Sequence, residues 1–464
     1  MGPKPLTTTG DLTASYKGVT ETTITIGVSM LDFDDLVSKN LSKAGWGDQI
    51  AVYDALIADL NAKGGILGRM VEPVYEYYTP ISGDDATRAC NALTQDNDVF
   101  AVLGGFLGPL AGTADPCITG LNDTILIGGD QTADELDQST APWYQPGQSA
   151  AGSTDILLGL LDEAGELDGA KVFVMGGQAD EVSHQPVLDA LADKGVEVVG
   201  DAIIVADDGD TVGQDSELQV ITEQIKSKGA TAVFVHGTPS ASVRGLAAAG
   251  LIETLDVWAN NPAGLNNLGA TITDKSVVNG VVTAAGPDDQ AIWDDPLYQS
   301  QCSDVVAAAV PEADIRPPLD YAEEEDNWFN NIRSACRFLD LFVQIATAAG
   351  TDLTPDSFQA GAETLTDFAL PGGPSNSLSD TKFFAEDRYA LATYDSTSGD
   401  GPGGPHRQGS STSSAEPPAD PRPHPNWSSR VVEKTTRLDQ FRGWVSRRAR
   451  PGRREAGGRL RADP

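Results

Sequence analysis

Short apolar runs bounded by glycine alternate with amphipathic stretches along most of this chain, and that alternation restricts the fold more than any other feature. Thr22 to Met30 (TTITIGVSM) alternates β-branched and small residues as a strand does, and Tyr53, Leu56, Ile57 and Leu60 then recur at helical spacing. The helix stops at Asn61-Ala62-Lys63-Gly64-Gly65, where Gly64 can take the left-handed conformation, and Val74 to Tyr78 resumes an extended pattern. This is a βαβ unit. The apolar strand Val99 to Leu103, a helix after Gly108 and the strand Thr124 to Gly128 continue it, reading as parallel strands buried on both faces.

A second series begins after the Pro/Gln/Gly break at Trp143 to Gln148. It runs helix 149–166, strand Lys171 to Met175, helix 182–194, strand Val196 to Val205, helix 215–228, strand Thr231 to Val235, helix 240–250 and strand Asp256 to Ala259. The predicted fold class is therefore α/β, with two doubly wound parallel-sheet lobes, and 464 residues suit two to three domain-sized units. After the strand Val277 to Ala284 come helices near 294–309 and 327–349. Ile332, Cys336, Leu339, Val343 and Ala346 mark a buried stripe on the latter, and Arg388 to Tyr394 reads as a last strand.

Charge divides the chain. Residues 1–400 hold 18 Lys+Arg against 62 Asp+Glu, while 401–464 hold 13 against 6. A body this negative repels phosphate backbones, so nucleic acid is excluded as a partner of the main fold, leaving small molecules or basic proteins. The uncharged stretch Val99 to Ala114 is interrupted by Gly and Pro and is too short to span a bilayer. The last 64 residues carry 9 of the 28 prolines and runs such as Arg447-Arg448-Ala449-Arg450, and disorder is expected there. A shifted reading frame in GC-rich coding DNA would give the same composition.

Four cysteines, Cys90, Cys117, Cys302 and Cys336, form no CxxC pair and have no histidine at metal-ligand spacing, so no metal is expected. Their even number and sequential spacings suggest two local bridges, each worth about 3 to 4 kcal/mol, and an oxidising compartment. Four buried thiols in a cytosolic protein are the alternative. Met1 to Gly18 has neither an apolar h-region nor a lipobox cysteine, so the export signal that bridges would require is not read in this chain. Only His184 and His236 lie in the body, and no GxSxG, HExxH, GxGxxG, P-loop or EF-hand pattern appears. The expectation is a non-enzyme without a cofactor.

The segment Leu60-Asn61-Ala62-Lys63-Gly64-Gly65-Ile66-Leu67-Gly68 resembles the helix-to-strand hallmark of type I periplasmic binding proteins, in particular the leucine/isoleucine/valine-binding family that serves ABC importers. Gly45-Trp46-Gly47-Asp48, Val102-Leu103-Gly104-Gly105 and Ile127 through Leu136 look like ligand-loop segments of that family, and the resemblance covers about residues 20–395. It implies a three-crossover hinge near Gln145, Gly286 and Ala392. The implied division is an N-terminal extension (1–21), lobe 1 in two parts (22–145 and 287–387), lobe 2 (146–286), a hinge-return strand (388–398) and a basic tail (399–464). It also implies Cys90–Cys117 as a first-lobe disulfide and Cys302–Cys336 as a tie between two later helices.

A ligand set follows from the same resemblance. Trp46 would cover the ligand, although a tryptophan there can equally pack on the first helix. Gly105, Phe106 and Gly108 would present backbone N–H groups to a carboxylate, with glycines that serve only a tight turn as the alternative; Gly108 stands where amino-acid binders carry a hydroxyl. Asp130 would offer its main-chain carbonyl and Thr132 its hydroxyl. In the second lobe Asp180 and Glu181 fall where the family often has a tyrosine, with a solvated acidic loop as the alternative. His236, Gly237 and Thr238 end a strand at the cleft, where His236 would donate to an anion or simply cap the strand. Asn261 replaces a glutamate that pairs with the ammonium group, which leaves amides, urea-like solutes and aromatic acids open beside amino acids. The resemblance implies a monomeric extracytoplasmic receptor that binds a small solute and delivers it to an ABC permease. The alternative is a clamshell sensor that controls a regulator or receptor.

Overall fold

The computed structural model describes residues 12–396 except 109, 130, 178–180, 208–209, 267, 269–271 and 273. The basic tail, and with it the expectation of disorder there, lies outside the described residues, as do Asp130 and Asp180.

The first sheet contains β1 (Thr23–Leu31), β2 (Met70–Tyr78), β3 (Ala101–Gly104), β4 (Ile125–Gly128) and β5 (Trp143–Tyr144), all parallel, in the order β2-β1-β3-β4-β5. The second contains β6 (Lys171–Gly177), β7 (Glu197–Ile204), β8 (Ala232–Val235), β9 (Asp256–Ala259) and β10 (Val282–Ala285). A two-stranded hairpin, β11 (Phe368–Leu370) with β12 (Gly373–Asn376), follows in the chain. The last strand, β13 (Ala390–Thr393), runs antiparallel to β10 and completes the order β13-β10-β9-β8-β6-β7. Strand order reverses beside β1 in one sheet and beside β6 in the other. Each lobe therefore has a topological switch point, the place where an open α/β sheet leaves a crevice at its C-terminal edge.

Local sequence explains most boundaries. Asp48 caps the helix Gln49–Ala62 by accepting from Ala51 N–H at 2.9 Å, and the chain leaves it through Gly64 (φ +105°) and Gly65 (φ +63°). A Cβ on Gly65 would stand 2.0 Å from the Arg69 carbonyl oxygen, so the turn into β2 requires glycine there. On one face of the first sheet this helix packs with Trp328–Ala349 and Pro355–Glu363; on the other lies the helix Gly83–Asn91. Cys90–Cys117 joins segments on the second of these faces and Cys302–Cys336 on the first, so each face of the lobe-1 sheet carries a covalent tie. In the second lobe, helices 211–228 and 240–248 cover one face and 150–164 and 181–193 the other.

Four elements differ from the sequence reading. No long helix follows Gly108: Gly112 and Pro116 break the segment into a 3₁₀ turn, Gly112–Ala114, and a wide π turn, Cys117–Leu121. Trp143 and Tyr144, within the expected break, form the edge strand β5, a pairing that only the neighbouring β4 backbone supplies. The Val277 strand begins as a 3₁₀ turn, Lys275–Val278, and becomes extended only after Asn279-Gly280, where Gly280 has φ +99°. The helix expected near 294–309 begins at Pro296, and a separate short helix, Asp289–Asp294, precedes it, because proline opens a new helix rather than continuing the old one.

Candidate functional site

The lobe-1 switch point lies between the ends of β1 and β3. A pocket of about 60 Å³ sits there, lined mainly by apolar and aromatic side chains that include Met30, Trp46, Tyr53, Tyr78, Leu107 and Phe338. Trp46, half-buried, packs on Phe33 with ring centroids 5.2 Å apart, and its carbonyl accepts from Asn331 Nδ2 at 3.1 Å. Gly105 also lines this pocket. Phe106 is fully buried and packs edge-on against Tyr78 at 4.9 Å, while its N–H donates to Asp115 Oδ1 at 2.8 Å. Leu107 N–H donates to Tyr78 Oη at 2.8 Å, and burial raises the Tyr78 phenol pKa, keeping it neutral. Gly108 is exposed beyond the pocket, with φ +104°, and a Cβ there would stand 2.5 Å from Pro80 Cβ. Thr132 caps the helix Ala133–Gln138: its hydroxyl donates to Glu135 Oε2 at 2.8 Å and accepts from Glu135 N–H at 3.3 Å, closing a capping box. Trp46 and Gly105 are thus brought together, while the Phe106 side chain is core and the Thr132 hydroxyl is engaged locally.

At the second switch point the chain gathers a polar row from three elements. Ser183 Oγ lies 3.2 Å from His236 Nδ1, His236 Nε2 lies 2.8 Å from His184 Nδ1, and His184 Nε2 lies 3.1 Å from Asp201 Oδ2. Burial, and next the neighbouring His184, push His236 down to about 4, so it is neutral near neutral pH. A single direction of donation then satisfies every atom: Ser183 O–H to Nδ1, Nε2–H to His184, and His184 Nε2–H to the Asp201 carboxylate. Gly176, next to the end of β6, leaves room for the imidazole, since a Cβ there would come within 2.4 Å of it. His236 itself is buried, with 0% exposure, while Ser183 and His184 are half-buried. Glu181 and Thr238 are exposed at neighbouring loop ends. Gly237 N–H donates to Asn260 Oδ1 at 3.0 Å, and Asn261 Oδ1 accepts from Gly264 N–H at 2.8 Å, capping the short helix Pro262–Asn266. Among the described residues no group of His, Cys, Asp and Glu could hold a metal ion.

Three crossovers join the lobes. One leaves the end of β5 at Gln145, one leaves the end of β10 at Gly286, and one enters β13 at Ala390, opposite Ala285. All three therefore lie at C-terminal edges of the parallel sheets, so both switch points open toward the hinge. Gln145 N–H donates to the Phe383 carbonyl at 2.9 Å, and Ala385 N–H returns a bond to Gln145 at 2.7 Å. Arg337 Nη2 reaches the Pro146 carbonyl at 3.0 Å and Glu386 Oε2 at 2.9 Å, and Lys382 Nζ lies 2.9 Å from Asp387. Burial raises the Glu386 pKa and lowers that of Lys382; each is offset in part by its partner charges.

With this architecture in place, the family comparison is decisive: the family model described as periplasmic binding protein matches residues 44–401. The chain belongs to the periplasmic binding protein family. No curated protein sequence matches it. Among solved structures it is similar to a fatty acid ABC transporter substrate-binding protein from Thermomonospora curvata, at 17% identity and TM-score 0.50, over 82% of this chain and 90% of that one. It is similar to an ABC transporter substrate-binding protein from Desulfitobacterium hafniense in complex with Leu, at 14% identity and TM-score 0.52, over 80% and 98%. A solute-binding protein from R. palustris in complex with 4-hydroxybenzoate gives 14% identity and TM-score 0.52 over 80% and 93%. At these identities the likeness shows the fold. The family comprises solute-binding proteins of ABC transporters, which are not enzymes, and it is extracytoplasmic. Among the described residues no helix is long and apolar enough to cross a membrane.

Several residues that order the switch points of this periplasmic binding protein are not among the ligand residues expected from the sequence: Asp115, Tyr78, Ser183, Asp201 and Asn260, with His184 noted there only as one of two histidines in the body. Asp115 had a signal, since it is the charge that ends the long uncharged run from Val99 to Ala114. Asn260 lies in the bend just after β9 and the others on strands or helices whose local pattern explains them, and nothing nearby marks their partners.

Proposed function

We propose that this protein is an extracytoplasmic solute receptor of an ABC importer, which holds an amino acid or a similar small polar metabolite between its lobes and passes it unchanged to a membrane permease. The observation that carries the reading is the opening of both switch points toward a hinge made of three crossovers, so that closure can bury a guest from two sides. The aromatic lining of the lobe-1 pocket suits a small organic solute, and the similar folds captured with Leu and with 4-hydroxybenzoate set the size range. Two disulfides accord with an oxidising compartment. The receptor acts as a monomer.

A thermal-shift screen of amino acids, amides, polyamines and aromatic acids tests this, followed by small-angle scattering with each hit. The expected result is a raised melting temperature, a smaller radius of gyration and ligand recovered intact by mass spectrometry. No shift with any class at millimolar solute, or chemical conversion of the hit, overturns it.

A further inference from the structure

Two consecutive glycines lead into β12, and they serve different ends. Gly372 has φ +75°, a conformation that favours glycine, whereas Gly373 is not in the left-handed region, so its backbone would accept a side chain. What Gly373 leaves clear is the space beside it. A Cβ there would stand 3.3 Å from Glu386 Oε2, 3.4 Å from Arg337 Nη2 and 3.5 Å from Asn376 Oδ1. Polar atoms from the helix Trp328–Ala349, from β12 and from the segment leading into β13 therefore converge on one point.

All three side chains are buried, Asn376 at 0% exposure, Glu386 at 2% and Arg337 at 9%. Asn376 Nδ2 donates to the Phe368 carbonyl at 3.1 Å and to the Gly373 carbonyl at 2.5 Å, which fixes the amide with Oδ1 toward the cradle. That oxygen accepts from no protein group, nor does Glu386 Oε1, and Arg337 Nε finds no acceptor. Orphaned buried polar atoms on three neighbouring side chains require a shared partner. Its chemistry follows from the surroundings: the guanidinium repels a cation, the Asn376 and Glu386 oxygens repel an anion, and two acceptors need a donor of two hydrogens.

We propose that one water molecule is bound beside Gly373, donating to Asn376 Oδ1 and to the Glu386 carboxyl group, and that it braces the hinge. Arg337 Nη2 also holds the Pro146 carbonyl of the first crossover, and Glu386 leads into the third, so the bound water joins both crossovers to the β11–β12 hairpin. A water-mediated link re-forms readily at a slightly different length, which suits segments about which two lobes turn. The inference rests on the two-lobe fold and on no particular solute.

Gly373→Ala tests it, because a methyl group fills the cradle on a backbone that tolerates it. With no water to expel, alanine should raise the melting temperature slightly, having less freedom than glycine to lose on folding. With a water expelled and Asn376 Oδ1 left dry, the melting temperature should instead fall by about 3 °C or more. The Gln145 and Ala385 amides, which bond the first crossover to the segment before the third, should then exchange about tenfold faster, while those of β8 keep their protection. A high-resolution crystal structure of the wild type should show a water within hydrogen-bond distance of Asn376 Oδ1 and Glu386, and it decides the matter if the variant does not fold. A raised or unchanged melting temperature, no density at this point, or an ion in its place overturns the bound water. Equal acceleration of the β8 amides overturns its role at the hinge.

Discussion

At the first switch point the ordering group is a buried carboxyl, Asp115, nine residues along the chain from the amide it receives. At the second it is a pair of imidazoles, His236 and His184, brought together across 52 residues. The first lobe also carries both disulfides, one on each face of its sheet, whereas the second has no cysteine among its described residues. One wall of the cleft is therefore fixed by covalent and short-range ties. The other depends on the buried His236 staying neutral, so the lobes should respond to opposite stresses.

Removing the covalent ties should separate the lobes most strongly. Replacing Cys90 and Cys117, or Cys302 and Cys336, by alanine pairs should cost about 3 to 4 kcal/mol each by loop-closure arithmetic. Amide exchange should then rise in β1 and β3 while β8 stays protected, and equal exposure of both lobes would erase the contrast.

Acid should reverse the order. The His236 pKa is depressed in the fold to about 4 from an ordinary 6.5, so the unfolded chain binds the proton first; stability is full above about 6.5 and falls as pH drops toward 4. The loss amounts to about 3 kcal/mol and belongs to the second lobe. Exchange at β6 and β8 followed from neutral pH to near pH 4.5 measures it, and His236→Asn should flatten the dependence. A first lobe that loosens at the same pH would count against this account.

A smaller effect of opposite sign lies in the first lobe. Burial lifts Asp340 to about 6, with Gln344 Nε2 at 2.7 Å as its hydrogen-bond donor. Because this carboxyl pKa is raised, its proton is held more tightly in the fold; stability is full below about 4 and declines as pH rises through 6. Asp340→Asn should therefore stabilise the protein by about 1 to 2 kcal/mol near pH 7.5 and change it little near pH 4, read as melting temperature in both buffers.

Much of the fold was legible because it repeats a local signal. The alternation of apolar runs and helical stripes located most strands, and the Gly64-Gly65 stop marked the turn into β2. β5 was not legible, since two residues between proline-containing turns acquire strand geometry only by pairing with β4. At the site, Trp46 and Gly105 could be singled out and do share a pocket. The engagement of Thr132 with Glu135 and of Asn261 with Gly264 is local chemistry that an assignment by resemblance passes over.

The amino-acid sequence by itself determined two α/β lobes, a strongly acidic body and cysteine spacings suited to two bridges, because backbone preference, burial and charge are summed from near neighbours. Only the tertiary structure decided that Asp115 occupies the turn after β3, that His184 stands between His236 and Asp201, and that Arg337 links two crossovers. A polar group's partner depends on which distant segments the packed sheets bring within about 3 Å, a distance that no periodicity encodes.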